Sequence, residues 1–134
     1  MSATENIETV KTMYEAFGRG DVEAILEHVT DDVDWAADAA GDAAPWWGEL
    51  HGKEEATRFF SGIAGTVDVL AFEPKAFAAT DDEVMTFVHY RAKVRKTGTE
   101  VDMNIHHYWR FRDGKVAQYR GSEDSAQTLA ALGG

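Results

Sequence analysis

The chain has no cysteine, and only two prolines in 134 residues. Without thiols there is no disulfide framework, no zinc–thiolate site and no cysteine nucleophile, and nothing here needs an oxidising compartment. Pro45 and Pro74 stand far apart and no Ser/Gly-rich stretch divides the chain, so residues 1–134 read as a single domain without a linker. That length is ordinary for one domain and buries a core without metals or cross-links. No stretch approaches the roughly 20 apolar residues that a membrane-spanning helix needs. The start, Met1 to Asn6, has no basic patch followed by an apolar run, so no secretory signal is read there and the expected location is cytoplasmic. Basic residues are scarce: 13 Lys and Arg stand against 24 Asp and Glu, for a net charge of −11. A surface this acidic repels nucleic acid and anionic membranes, so neither is expected as a partner. There is no dinucleotide glycine fingerprint, no P-loop and no serine nucleophile elbow. The acidic run Asp31, Asp32, Asp34, Asp38, Asp42 lacks calcium-loop spacing, and His28, His51, His89 and His106 show no metal-ligand pattern, so no metal and no cofactor are expected.

What the sequence does have is a change of period. Ile7, Val10, Tyr14 and Phe17 recur on one helical face, behind a Ser2/Glu5 capping box and ahead of a Gly18-Arg19-Gly20 stop. Asp21 caps a second helix with Val22, Ile25, Leu26 and Val29 on one face, which Asp31-Asp32 is expected to end. Val33 to Ala37 alternates as a short strand. Residues 38 to 52 read as a loop around Pro45-Trp46-Trp47-Gly48. Lys53 to Ala64 reads as a third helix facing inward with Ala56, Phe59, Phe60 and Ile63. Beyond Thr66 the period falls to two. Strands are expected over Val67 to Ala79, Glu83 to Lys96, Thr99 to Arg112 and Lys115 to Glu123, followed by a short helix with Ala126, Leu129 and Leu132 inward.

A two-residue turn at Thr97-Gly98 sets a register in which Arg95 faces Glu100 and Lys93 faces Asp102. The inward face then collects Val84, Thr86, Val88, Tyr90, Ala92 and Val94, opposite Val101, Met103, Ile105, His107, Trp109 and Phe111. The outward face carries a basic stripe, Arg91, Lys93, Arg95, Arg110 and Arg112, around Met85, Phe87 and Tyr108. A one-residue slip would exchange the two faces.

Three helices followed by four long antiparallel strands is an α+β order. It resembles the nuclear transport factor 2-like superfamily and, within it, the SnoaL-like polyketide cyclase group. The resemblance rests on Phe17-Gly18-Arg19-Gly20-Asp21, on Thr30 to Trp35, on Gly48 to Glu54, on Phe111-Arg112-Asp113-Gly114-Lys115-Val116, and on Asp124 after the last strand. It covers nearly the whole chain and implies a cone-shaped domain: three N-terminal helices packed on a strongly curved, mostly antiparallel sheet, with a pocket between them. Ketosteroid isomerases resemble the chain over the helices and first strand. Their strand carboxylate aligns with Ala37 and their helix tyrosine with Met13 rather than Tyr14, so that constellation is not reproduced.

Within this frame His107 is the first catalytic candidate, as the one histidine on the apolar face of the central hairpin. It reads as a general base tuned by burial, or as a structural histidine. The resemblance gives Asp124 an acid–base role beside it, while the Asp124/Gln127 spacing equally marks a helix cap. Trp35, Trp47, Phe60, Tyr90 and Trp109 read as an aromatic pocket wall, with plain core as the alternative. Trp46 and Trp47 stand side by side and do not both fit the core, so one is expected at the pocket mouth. Arg120 shares parity with Val116 and Gln118 and is expected inward, paired with Asp124, on a ligand anion, or in a rim salt bridge.

The resulting expectation is a cofactor-independent enzyme performing cyclisation, isomerisation or hydration on an apolar small molecule. The alternatives are a non-catalytic binding protein for a hydrophobic ligand, or an oligomerisation module with a filled pocket. A homodimer through the outer sheet face is implied by the superfamily resemblance.

Overall fold

The structure is a computed structural model, and it describes residues 2–133. The first helix, α1 (Ala3–Gly18), opens with the expected capping box: Ser2 accepts from the Glu5 amide while Glu5 accepts from the Ser2 amide. After the turn at Arg19-Gly20, Asp21 caps α2 (Val22–Leu26) by accepting from the Ala24 amide. Here the expectation fails. The helix stops at Leu26, and Val29, Asp31 and Asp32 belong to β1 (Val29–Ala37). The expected loop also hides a strand, β2 (Gly48–His51), which pairs with β1 and leads into α3 (Gly52–Thr66). The remaining elements are β3 (Val67–Ala79), β4 (Glu83–Val94), β5 (Glu100–Arg112), β6 (Lys115–Ser122) and α4 (Ser125–Ala131).

The six strands form one curved sheet in the order β2-β1-β6-β5-β4-β3. All pairings are antiparallel except β1 with β6, which is parallel and joins the two ends of the chain. Register shifts in β1, β3 and at the β5–β6 pairing add the bends that make the sheet concave. The helices α1 and α3 lie against the sheet, with Val10, Met13, Tyr14, Ala56 and Phe60 buried. Asn6 is buried as well, and its amide donates to Asp81 O at 2.8 Å, fixing α1 against the β3–β4 turn.

The central hairpin turns earlier than a two-residue turn at Thr97-Gly98 would place it. Lys93 lies opposite Glu100 and Arg91 opposite Asp102, a shift of two positions, because Arg95 to Thr99 form a longer loop. An even shift preserves the faces, so Val84, Thr86, Val88, Val101, Met103, Ile105, Trp109 and Phe111 are buried as expected. The charge pairs change: Arg91 meets Glu100 at 2.8 Å, whereas Arg95 leaves the stripe and donates to Val67 O and Asp68 at the start of β3.

Two further corrections concern the end of the chain. At the β5–β6 pairing Phe111 faces Val116 but Arg110 faces Gln118, so Ala117 is an extra residue and inside–outside parity reverses beyond it. Tyr119 and Gly121 therefore take buried positions. Arg120 comes to the outer face, where it meets Asp34 at 2.8 Å, and not Asp124. In α4, Thr128 and Ala131 are buried, while Leu129 and Ala126 are exposed.

Candidate functional site

The concave face of the sheet, α1, α3 and the loop before β2 enclose a cavity of about 90 Å³. Its wall is aromatic, with Tyr14, Phe17, Trp35, Trp46, Phe59 and Phe60 joined by Phe72, Tyr90, Trp109 and Tyr119. Four of the expected wall residues, Trp35, Phe60, Tyr90 and Trp109, line it. Trp47 does not; its neighbour Trp46 does. The loop is held close because Gly62 on α3 leaves room for Pro45: a Cβ there would stand 2.9 Å from the Pro45 carbonyl. That packing buries Ala44 and Trp46 and leaves Trp47 half-buried beside them.

His107 lies on the wall, brought there by the preserved face of β5. Its Nδ1 is 2.7 Å from the Tyr14 hydroxyl, which is also 2.7 Å from Thr86 Oγ1. Burial lowers the imidazole to about 3 from its ordinary 6.5, with the neighbouring His106 adding to the effect, so it is neutral at physiological pH. Burial pushes the Tyr14, Tyr90 and Tyr119 phenols up, so all three are protonated. The tautomer then sets what His107 presents. If Nδ1–H donates to Tyr14 and Tyr14 to Thr86, Nε2 is left with a lone pair. If the chain runs the other way, Nε2 carries the proton.

Gly121 makes this corner possible. It pairs with His107 across the sheet, and a Cβ there would lie 2.3 Å from the Tyr119 hydroxyl and 3.4 Å from His107 Cδ2. A residue without a side chain is what lets the Tyr119 ring lie here, while His107 would be in ordinary contact.

Asp124 is placed away from this corner. It is exposed and caps α4, accepting from the Gln127 amide at 3.2 Å. The carboxylate on the cavity wall is its neighbour Glu123. The indole N–H groups of Trp46 and Trp47 both donate to Glu123 Oε1, at 2.8 and 3.0 Å, and the Thr128 hydroxyl donates to Oε2. This explains the adjacent tryptophans: one carboxylate serves both. Glu123 and Tyr14 are among the site residues that reading the sequence missed, as are the wall residues Phe17, Phe59, Phe72 and Tyr119. The signal for Tyr14 was its place on the apolar face of α1; for Glu123 there was only its position one residue before a cap.

A groove of about 460 Å³ outside the cavity, between α1 and β3, is lined by Lys11, Tyr14, Glu15, Phe72, Pro74 and Phe77. Tyr14 and Phe72 belong to both spaces, their rings in edge contact at 5.1 Å. Phe72 stands between the two register shifts of β3.

Among the described residues no group of three or more His, Asp, Glu or Cys is placed to hold a metal ion. No helix among the described residues is long and apolar enough to cross a membrane. On the outer sheet face Met85 is 52% and Phe87 38% exposed. The arginines around them are paired: Arg91 with Glu100 and Asp102, Arg110 with Asp82 and Glu83, and Arg112 with Asp32. His89 sits between Glu73 and Asp102, at 2.7 Å from each, which raises its pKa.

No curated protein matches the chain in sequence. Among solved structures, an NTF2-like protein of unknown function from Burkholderia pseudomallei superposes with a TM-score of 0.89 at 23% identity, covering 100% of both chains. TerC co-crystallised with polyporic acid superposes with a TM-score of 0.85 at 23% identity, over 97% of this chain and 99% of that one. A protein of ketosteroid isomerase-like fold from Catenulispora acidiphila, in complex with trimethylamine, gives 0.79 at 15% identity, over 94% and 92%. At these identities the likeness is one of fold. Residues 10–119, from α1 through the Tyr119 corner, match the SnoaL-like domain, so this aromatic cone with its histidine on the cavity wall, NTF2-like in fold, belongs to the SnoaL-like family.

Proposed function

We propose that the protein is a cofactor-independent acid–base enzyme for a small, largely apolar molecule bound in the aromatic cavity, with His107 as the proton-handling group. The observation that carries this is the Tyr14–His107 hydrogen bond at the cavity wall: Nδ1 is engaged, and Nε2 has no partner among the described residues. A neutral imidazole in a dry pocket accepts a proton when the ligand develops negative charge next to it. The Tyr14 oxygen then accepts from Nδ1–H and stabilises the imidazolium. Isomerisation, cyclisation and hydration all need such a transfer. Asp124 has no part in this reading, because it is engaged as a cap outside the cavity.

The second reading, a protein that sequesters a ligand unchanged, draws on the low basicity of His107 and on Glu123 being occupied by three donors. A third, a filled pocket, draws on the size of the cavity. About 90 Å³ is well below the roughly 300–1,000 Å³ of common ligand sites. Native mass spectrometry of freshly purified protein, followed by extraction and incubation of whatever is bound, separates the three. Conversion by the native protein but not by His107→Asn supports the enzyme. Release unchanged from both supports sequestration, and no retained or added ligand supports the filled pocket.

The same proposal includes a homodimer through the outer face of the sheet. Met85 and Phe87 supply an apolar centre, and the paired arginines a polar rim.

A further inference from the structure

Residues 38–47 leave the sheet after Ala37 and return to it at Gly48, which pairs with Ala37, so the β1–β2 ladder closes the two ends of this loop. Gly48 makes the return with a φ of 110°, a conformation that suits glycine. The base is tied once more, where the Asp38 amide donates to Gly121 O at 2.7 Å. Beyond that base, among the described residues, no backbone hydrogen bond joins residues 40–47 to the rest of the protein. The one they make, from the Trp47 amide to Ala44 O, is internal. Residues 40–43 and Pro45 are exposed. Side chains alone therefore hold the loop against the cavity. Ala44 and Trp46 are buried, Pro45 rests on Gly62 of α3, and the indole N–H groups of Trp46 and Trp47 both donate to Glu123 Oε1. The Thr128 hydroxyl takes Oε2, which turns Oε1 toward the loop. Thr128 is itself buried on α4, so the carboxylate is mounted on a fixed support.

Accepting the ligand-pocket reading above, we infer that residues 38–47 are a lid on the aromatic cavity and that Glu123 is its latch, a positioning residue and not an acid or base. Both indole bonds share one acceptor oxygen, so a turn of one carboxylate frees both tryptophans. A charged acceptor makes each bond stronger than one between neutral groups, which keeps the lid shut most of the time. Glu123 and Trp47 are each half-buried, so water takes over their bonds when they part. Opening breaks no part of the sheet, because the β1–β2 ladder ends at the base of the loop. The lid also accounts for the size of the cavity. Trp46 is part of the wall, and the space it helps enclose is about 90 Å³. That is the closed volume. Lifting Trp46 takes an indole out of the wall, which opens the space and enlarges it at once, and a bound ligand is then covered when the latch re-forms. Trp47, off the cavity wall, serves only as the second bond of the latch.

Hydrogen exchange of the indole N–H groups in deuterium oxide, followed by NMR of the ¹⁵N-labelled intact protein, tests the latch without any ligand. The expected result is that Trp46 and Trp47 exchange at similar rates and well ahead of Trp35 and Trp109. Glu123→Gln should speed the first pair about tenfold and leave the second pair unchanged. Exchange of Trp46 and Trp47 as slow as that of Trp35 and Trp109, with Glu123→Gln raising all four together, overturns the lid and makes the loop part of the core. Toluene, followed by stopped-flow tryptophan fluorescence, tests the gate. Glu123→Gln and Trp47→Phe, the second of which leaves the cavity wall intact, should each speed toluene entry and release about tenfold with a much smaller change in Kd. A changed Kd with an unchanged entry rate overturns the gate. If Glu123→Gln does not fold, Trp47→Phe decides both parts, through the exchange of Trp46 and the toluene rates. If the indoles exchange as expected but toluene binds neither the native protein nor the variants, the pocket reading falls and the gate with it, and Glu123 is left as a tie between the loop and α4.

Discussion

The depressed basicity of His107 has a measurable consequence for stability. In the folded protein the imidazole is lowered to about 3, while in the unfolded chain it returns to its ordinary 6.5. Below pH 6.5 the unfolded state therefore binds a proton that the folded state refuses. Stability falls as pH drops through that range, and the loss continues until the folded value is reached. At pH 5 this single group has cost about 2 kcal/mol relative to neutral pH, from a 1.36 kcal/mol penalty per unit over about 1.5 units. His89 works in the opposite direction, because its carboxylate partners raise it. Its contribution is full below 6.5 and lost as pH rises through its folded value. The carboxylates held low by arginines, Asp32 and Asp34, lose their contribution only at more acidic pH. The test is a comparison with His107→Asn, in which the amide stands in for Nδ1 towards Tyr14. Urea unfolding of both proteins at pH 7.5 and pH 5 should show the native protein losing about 2 kcal/mol more than the variant. Equal losses, or an imidazole that titrates near 6.5 in the folded protein by NMR, would refute the burial argument.

Asp124→Ala should cost about 0.5–2 kcal/mol in unfolding free energy through the lost cap, while leaving ligand binding unchanged by calorimetry. Gly121→Ala should destabilise by about 1–3 kcal/mol, because its methyl meets the Tyr119 hydroxyl; adding Tyr119→Phe should recover part of that loss in the same thermal melt. Phe87→Asp should shift sedimentation towards monomer with little change in melting temperature, and an unchanged sedimentation coefficient would count against the outer-face dimer.

How far the sequence foretold all this depends on the kind of signal. Local chemistry was legible: the Ser2/Glu5 box and the Asp21 cap form as read. The face of the central hairpin was legible too, because alternation survives an even slip: His107 reaches the cavity although the turn is longer than expected. A single extra residue is enough to defeat the same logic. Ala117 reverses parity in β6, sending Arg120 out to Asp34 and bringing Tyr119 in. Long-range pairings left no local trace. β2 and the parallel β1–β6 contact come from the meeting of distant segments, and β1 absorbs Asp31 and Asp32 that read as a helix stop. At the site, the choice between Glu123 and Asp124 turned on one position at a strand end. There a cap and a wall residue are neighbours, and only the indole donors of Trp46 and Trp47 reveal which carboxylate faces inward.

The central claim, that His107 handles protons on a small molecule bound in the aromatic cavity, can be tested without the natural substrate, using a ring ketone as the probe. Proton NMR of cyclohex-2-enone in deuterium oxide follows exchange of the hydrogens beside the carbonyl for deuterium, which requires removing one proton and returning a deuteron at the same carbon. The account predicts that the native protein speeds this exchange above buffer and that His107→Asn does not. Exchange at the buffer rate with the native protein, under conditions where binding is seen, would contradict it and leave a pocket that holds its ligand unchanged.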